Sequence, residues 1–158
     1  VNGPRFGHVV LRTNRLAAMQ AWYCAVLDAR VVSSAPGVVF LSYDQEHHRV
    51  ALVDLGPLAA ARDDVPGLAH VAFAHARLTD LLEAHERLAR AGIAPARAVH
   101  HELTASLYYL DPDRNELELY ADCTGSRPRP SWDPAPLLRL LRAGAGEAEL
   151  LAHLHAGG

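Results

Sequence analysis

Phe6-Gly-His-Val-Val-Leu-Arg12 and Gly67-Leu-Ala-His-Val-Ala-Phe73 decide the fold, because they carry one signal twice. Each is a short, apolar, strand-forming run with one histidine at its centre, His8 or His70. The segments downstream of the two runs repeat as well. After the first, residues Arg15 to Leu27 read as a helix, with Leu16, Met19, Tyr23, Val26 and Leu27 at helical spacing and Asn14 as the expected N-cap. Three strands are then expected at Ala29–Ser33, Gly37–Tyr43 and Arg49–Leu55. After the second run, Thr79 is the expected N-cap of a helix with Leu78, Leu81, Leu82, His85, Leu88 and Ala91 along one stripe, closed by Gly92. Strands near Ile93–Val99, Ser106–Leu110 and Glu116–Tyr120 complete it, with a turn at Asp111-Pro-Asp-Arg-Asn115.

The chain is therefore an α+β protein made of two βαβββ modules, residues 1–60 and 67–123, joined by the polar stretch Ala61–Pro66. A lone module cannot bury both faces of its sheet. The expected solution is one curved sheet over residues 1–123, with helices outside and a central cavity. Residues 124–158 read as a C-terminal extension: a proline-rich segment, Arg127 to Pro134, then short helices at Pro136–Ala143 and Glu147–His155, packed on the modules or on a partner subunit.

Composition narrows the function. A length of 158 residues suits one domain or two small fused modules, and a net charge of −3 gives no reason to expect nucleic acid or a membrane surface as partner. No apolar run approaches the roughly 20 residues of a membrane helix, and no signal peptide is visible. Cys24 and Cys123 are expected to be reduced thiols of a cytoplasmic protein. Ten histidines make metal the question to ask.

His8 and His70 occupy equivalent places, expected to be the middle of each module's first strand. Glu116, Glu118 and Tyr120 alternate with Leu117 and Leu119, so a carboxylate on the last strand can meet both imidazoles, although a solvent-facing Glu116/Glu118 pair would read the same way. Two histidines and one carboxylate on one side of an ion make the facial triad of non-haem Fe(II) oxygenases. Three protein ligands leave three positions open, two for the oxygens of a catechol and one for dioxygen. Aligning the modules by their last strands puts Ala51 where Glu118 stands, so the first module supplies no fourth ligand, and Asp54 lies on the opposite face from Ala51.

Two longer stretches, Phe40-Leu-Ser-Tyr-Asp-Gln-Glu-His-His-Arg-Val-Ala-Leu52 and His101-Glu-Leu-Thr-Ala-Ser-Leu-Tyr-Tyr-Leu-Asp-Pro-Asp-Arg-Asn-Glu-Leu-Glu-Leu119, resemble one-domain extradiol ring-cleavage dioxygenases of the vicinal oxygen chelate superfamily. Asp133-Pro-Ala-Pro-Leu-Leu-Arg-Leu-Leu-Arg-Ala-Gly144 is similar to the tail of such enzymes. The resemblance implies a vicinal oxygen chelate domain with a short helical extension. It implies Fe(II), with Mn(II) as the alternative metal, held by His8, His70 and Glu118. It implies His48 as the active-site acid–base residue, with Tyr108 and His101 contacting substrate. His100 also fits the spacing of His101, and only one of Tyr108 and Tyr109 can escape core packing. The implied reaction opens a catechol with O2 to a semialdehyde; L-DOPA is among the candidate substrates, and a homodimer is the expected assembly. The competing readings are a glyoxalase- or epimerase-type lyase or isomerase, for which Ala51 lacks the needed carboxylate, and a metal-free antibiotic-binding protein. The family usually has glycine where this chain has Arg114, so Asn115 is expected to take over the bend.

Overall fold

The computed structural model describes residues 3–59, 64–124 and 128–156. The expected linker Ala61–Pro66 and the proline-rich segment Arg127 to Pro134 of the extension fall partly outside them. The chain divides into two compact units, Val1–Pro66 with Asp111–Arg114, and Gly67–Leu110 with Asn115–Gly158.

The first unit runs β1 (Val9–Thr13), α1 (Leu16–Leu27), β2 (Arg30–Ala35), β3 (Val38–Ser42) and β4 (Val50–Asp54), with sheet order β1-β4-β3-β2. Strand β1 pairs parallel with β4, and the other pairs are antiparallel. Met19, Tyr23 and Val26 of α1 are buried, as are Val39, Leu41, Val50 and Leu52 of the sheet. The N-cap of α1 is Arg15, not Asn14, and it makes no side-chain cap. The hydroxyl of Thr13, two residues upstream, accepts the Arg15 N–H instead, at 2.8 Å. At the other end Asp28 adopts the left-handed conformation (φ 50°), and the Ala29 N–H reaches back to the Cys24 carbonyl. The turn Asp111–Arg114 belongs to this unit, where the Tyr23 hydroxyl donates to Asp111 at 3.1 Å and Arg15 donates to the Pro112 carbonyl at 2.8 Å. Arg114 itself takes the positive φ of that turn, 69°, so the bend does not pass to Asn115. Asp111 holds it there: its carboxylate accepts the Asp113 N–H and its carbonyl accepts the Arg114 N–H, both at 2.9 Å.

The second unit repeats the order with β5 (His70–His75), α2 (Leu78–Arg90), β6 (Arg97–His100), β7 (Thr104–Leu110) and β8 (Glu116–Asp122), and its sheet order β5-β8-β7-β6 matches the first. Two four-stranded sheets thus form, rather than one continuous sheet. Each module's first strand takes its hydrogen bonds from its own last strand, which leaves β1 and β5 as edge strands of their sheets. Leu107, Tyr109, Leu117 and Leu119 lie on one sheet face with Leu78, Leu81, Leu82 and Leu88 of α2, all fully buried. At roughly 25 cal/mol per Å² of apolar surface, each such leucine contributes about 2 kcal/mol. Gly92 (φ 75°) ends α2 as expected: the Ile93 N–H bonds to the Leu88 carbonyl and the Gly92 N–H to that of Ala89.

The extension joins this unit. Helices α3 (Ala135–Arg142) and α4 (Glu147–Ala156) contact α2 and each other, burying Leu137, Leu150 and Leu154. They also correct the cap of α2. Thr79 lies inside the first turn, and the N-cap, Arg77, supplies no side-chain bond. The carboxylate of Glu147 accepts the Leu78 and Thr79 N–H groups at 2.6 and 2.8 Å. A carboxylate fits there because the helix start combines unsatisfied donors with the positive end of the dipole. Glu147→Ala is expected to lower the unfolding free energy by about 1–2 kcal/mol, the scale of a lost cap. The check is a urea midpoint that falls at constant slope, and an unmoved midpoint would mean that the bonds contribute nothing net.

Candidate functional site

Cross-strand register sorts the second sheet into two faces. Tyr108 stands opposite Glu118, Ser106 opposite Tyr120, and Arg97 opposite Tyr108, while His70 and Ala72 flank Glu116 and Glu118. All of these share the face turned away from the α2 core. Tyr109 points the other way, fully buried, with its hydroxyl 3.1 Å from His85 Nδ1. Of the two adjacent tyrosines, it is Tyr108 that leaves the core.

On that face lies an open cleft of about 460 Å³ lined by His70, His101, Leu103, Thr104, Tyr108, Glu118, Tyr120 and Asp122. His70 Nε2 is 3.1 Å from Glu118 Oε2, with the histidine side chain 37% exposed and the glutamate 10%. Tyr108 sits beside both, its ring edge-on to His70 at 5.6 Å between centroids. Burial, then the charge of Glu118 and a hydrogen bond to it, push its phenol above the ordinary range. His101 Nε2 lies 3.1 Å from the Tyr108 hydroxyl. His100 turns into the core, fully buried, with Nε2 3.3 Å from Cys123 Sγ. The geometry therefore separates two pairs that spacing left equal. His101 faces the cleft and His100 does not. Glu116 is committed to Arg97 at 2.7 and 3.0 Å, and Glu118 turns to His70.

The first unit gathers a second cluster. His8 stands immediately before β1, as His70 opens β5, so both histidines sit at strand entrances rather than in strand middles. His48 lies in the loop between β3 and β4, because regular pairing begins only at Val50. Its ring is 4.3 Å from that of His8 and 5.0 Å from that of Phe40. His47 is the exposed member, its Nδ1 2.6 Å from Nδ1 of His48. Burial, and then the neighbouring His8 and His47, push the His48 imidazole below its usual range, which favours the neutral ring.

Arg49, which sequence reasoning missed, builds this cluster. Its guanidinium donates to the carbonyls of Phe6 and Gly7 at 2.7 and 3.0 Å and to the Asp44 carboxylate at 2.8–2.9 Å. It thereby ties the segment that carries His8 to the loop that carries His48. No local signal marks this role, since Phe6 and Gly7 lie 43 and 42 residues away along the chain.

The two sheets have equivalent registers. Val10 pairs with Ala51 as Ala72 pairs with Glu118, and Phe40 faces Ala51 as Tyr108 faces Glu118. Ala51 thus occupies the place of Glu118, as the alignment of last strands expects. Among the described residues no group of three or more His, Cys, Asp or Glu side chains is drawn together in metal-holding geometry. His70 and Glu118 meet within the second unit, and His8 belongs to the first.

Residues 5–119 match the model of the Glyoxalase/Bleomycin resistance protein/Dioxygenase superfamily. The chain belongs to this superfamily. It is 48% identical over 122 residues to biphenyl-2,3-diol 1,2-dioxygenase 2 of Rhodococcus globerulus, an overlap of 75% of this chain and 63% of that one. It is 41% identical to biphenyl-2,3-diol 1,2-dioxygenase 3 of the same organism over 93% of this chain and 87% of the relative. The chain therefore spans somewhat under two thirds of the first relative's length and most of the second's. Among solved structures, a glyoxylase/bleomycin resistance protein/dioxygenase domain from Frankia sp. EAN1pec superposes with a TM-score of 0.60 at 26% identity, covering 77% of this chain and 98% of that domain. The paired βαβββ modules are the superfamily's fold, and the helical extension follows them. Among the described residues no helix is long and apolar enough to cross a membrane.

Proposed function

We propose that the protein is an Fe(II)-dependent extradiol dioxygenase that opens a catechol ring with dioxygen. The observation that carries the reading is the His70–Glu118 pair: a carboxylate nine-tenths buried, turned to a half-open imidazole on the floor of a cleft, with no arginine paired to it among the described residues. Burying a carboxylate without a cation is costly, and a divalent ion resolves that cost. The donor set suits the ion, because imidazole and carboxylate are the ligands of ferrous oxygenases. His8, at the position in its own module that His70 holds, is the third ligand of this proposal. The chemistry that ferrous iron would supply there is acidification of a chelated catechol and one-electron coupling of dioxygen to it.

The chain's own groups then have definite tasks. The Tyr108 hydroxyl, protonated at neutral pH, donates a hydrogen bond to a catechol oxygen. His101, in contact with that hydroxyl, fixes its direction. His48, held neutral, accepts a proton from substrate and returns it when the ring opens. Leu103 and Tyr120 give the cleft apolar wall, and Asp122 lines it as a second carboxylate beside Glu118. Among the described residues that line the cleft there is no arginine to receive an amino-acid carboxylate, and Arg97 on the same face is held by Glu116, so an aryl-substituted catechol such as biphenyl-2,3-diol fits better than L-DOPA. The glyoxalase-type lyase reading fits less well, because Ala51 stands where a fourth ligand would come from.

The test is a catechol panel with the iron-reconstituted protein. Biphenyl-2,3-diol is expected to bind anaerobically without turnover and to give a yellow ring-opened oxo-dienoate once oxygen is admitted, a phenyl ketone if the bond beside the phenyl-bearing carbon is the one broken. A muconate product, cleaved between the hydroxylated carbons, would rule out extradiol chemistry.

A further inference from the structure

Arg97 crosses the active face but takes no part in the chemistry assigned to Tyr108, His101 and His48. It lies on β6, directly opposite Tyr108 of β7, yet its ion-pair partner, Glu116, is on β8, two strands away. Neighbouring strands are about 4.8 Å apart, so a side chain that spans two of them must run roughly 10 Å across the strand between. In doing so it passes over the tyrosine. The guanidinium carbon sits 3.4 Å from the centre of the Tyr108 ring, within the range where a cation is held by an aromatic face. Arg97 Nε and Nη2 bond the two oxygens of Glu116 at 3.0 and 2.7 Å, so the fork is fixed in plane as well as in place. Tyr108 is thus bounded by Arg97 on one ring face and by the His70 ring at its edge, with His101 and Glu118 at its hydroxyl.

We propose that Arg97, clamped by Glu116, is a positioning residue that sets the Tyr108 ring so that its hydroxyl points into the cleft. The clamp also explains why Tyr108 is only 3% exposed on an open face: the arginine stem and fork cover it. A phenol free to swing about its side-chain torsions would present its hydroxyl in several directions, and a hydrogen bond to substrate depends on one. In the first module Phe40 stands at the place of Tyr108, and Ser33 stands opposite it where Arg97 would be. The arginine clamp thus accompanies the tyrosine that carries a hydroxyl, not the phenylalanine that lacks one.

The inference rests on the extradiol reading, and two measurements keep the two apart. The first uses metal-free full-length protein labelled with 3-fluorotyrosine, in which the Tyr108 fluorine signal is identified by its loss in Tyr108→Phe. Wild type is expected to give one dominant Tyr108 signal. Arg97→Gln and Glu116→Gln should split or broaden it, while Arg97→Lys should keep it closer to wild type. An unchanged signal in both glutamine variants would overturn the inference whatever the enzyme's reaction. The second is kinetic, with iron-loaded protein and biphenyl-2,3-diol. Arg97→Gln is expected to lower kcat/KM by roughly tenfold, the scale of one cation–aromatic contact, with partial rescue in Arg97→Lys. In a Tyr108→Phe background the same substitution should add less than about a twofold loss, because the hydroxyl it positions is gone. A full tenfold loss in both backgrounds would mean that Arg97 acts elsewhere. Absence of ring cleavage in wild type itself would count against the extradiol reading and leave the first measurement to decide the role of Arg97.

Discussion

Glu118→Ala is expected to abolish iron binding and ring cleavage while leaving the metal-free protein at least as stable as wild type. The two halves of that expectation have one cause. Glu118 is 8% exposed and faces Tyr108, and its side-chain neighbour among the described residues is the His70 imidazole, itself partly in solvent. Removing the carboxylate strands neither neighbour, since His70 can turn to water and the Tyr108 hydroxyl keeps His101. A buried carboxylate with no cation costs about 1–3 kcal/mol of folding free energy, and alanine lifts that cost. Iron affinity moves the other way. Loss of an outer hydrogen bond at a metal site already costs about 10–100-fold, and loss of a ligand exceeds that. His70→Ala is expected to behave alike for iron. Glu116→Ala, on the same strand face but paired with Arg97, should keep its iron. The measurements are iron per chain after anaerobic reconstitution and desalting, and urea unfolding of the metal-free proteins. Wild-type iron content in Glu118→Ala would remove Glu118 from the metal site.

Much of this arrangement was legible in the sequence, because alternation is local information. Tyr108, Glu116, Glu118 and Tyr120 fall on one face once the strands are recognised, and the repeat of the His8 and His70 runs set the two modules in equivalent register, down to Ala51 at the place of Glu118. The buried stripe of α2 and its glycine stop were equally local. What escaped the sequence depended on partners brought together by the fold. Glu147 caps α2 from 68–69 residues away, so Thr79 looked like the cap. Arg49 and Arg97 look ordinary in a string of residues, and their roles follow only from which carbonyls and carboxylates the strands deliver to them. The choice between His100 and His101 was closed to alternation as well. One ends β6 and the other begins the connection to β7, where strand geometry no longer dictates direction. Arg114 kept a positive φ without glycine because Asp111 binds the turn through both its carboxylate and its carbonyl.

His48→Gln tests the second cluster, and it is expected to keep iron and catechol binding while slowing turnover by roughly 10²–10⁴, the scale of a positioned acid–base group. Had His48 belonged to a regular strand, alternation with His47 and Val50 alone would have fixed its direction. The structure puts it in the loop before β4 instead, with its ring against His8 and Phe40. The loop is braced for that purpose: Ser42 donates to the Glu46 carbonyl at 2.9 Å, the Glu46 N–H bonds Asp44 at 3.0 Å, and Arg49 joins Asp44 to the segment preceding His8. Glutamine preserves a polar group of similar reach but cannot take up a proton near neutral pH. Substrate should therefore still bind, and the deficit should appear in the step that needs proton transfer. His47→Gln is the internal control. His47 is exposed, so its replacement should change turnover by less than about threefold, the effect of losing one partly solvated hydrogen bond. Anaerobic titration with biphenyl-2,3-diol followed by single-turnover mixing with oxygen separates binding from chemistry. Wild-type single-turnover rates in His48→Gln would take His48 out of the reaction and leave His101, in contact with Tyr108, as the histidine to test for proton transfer.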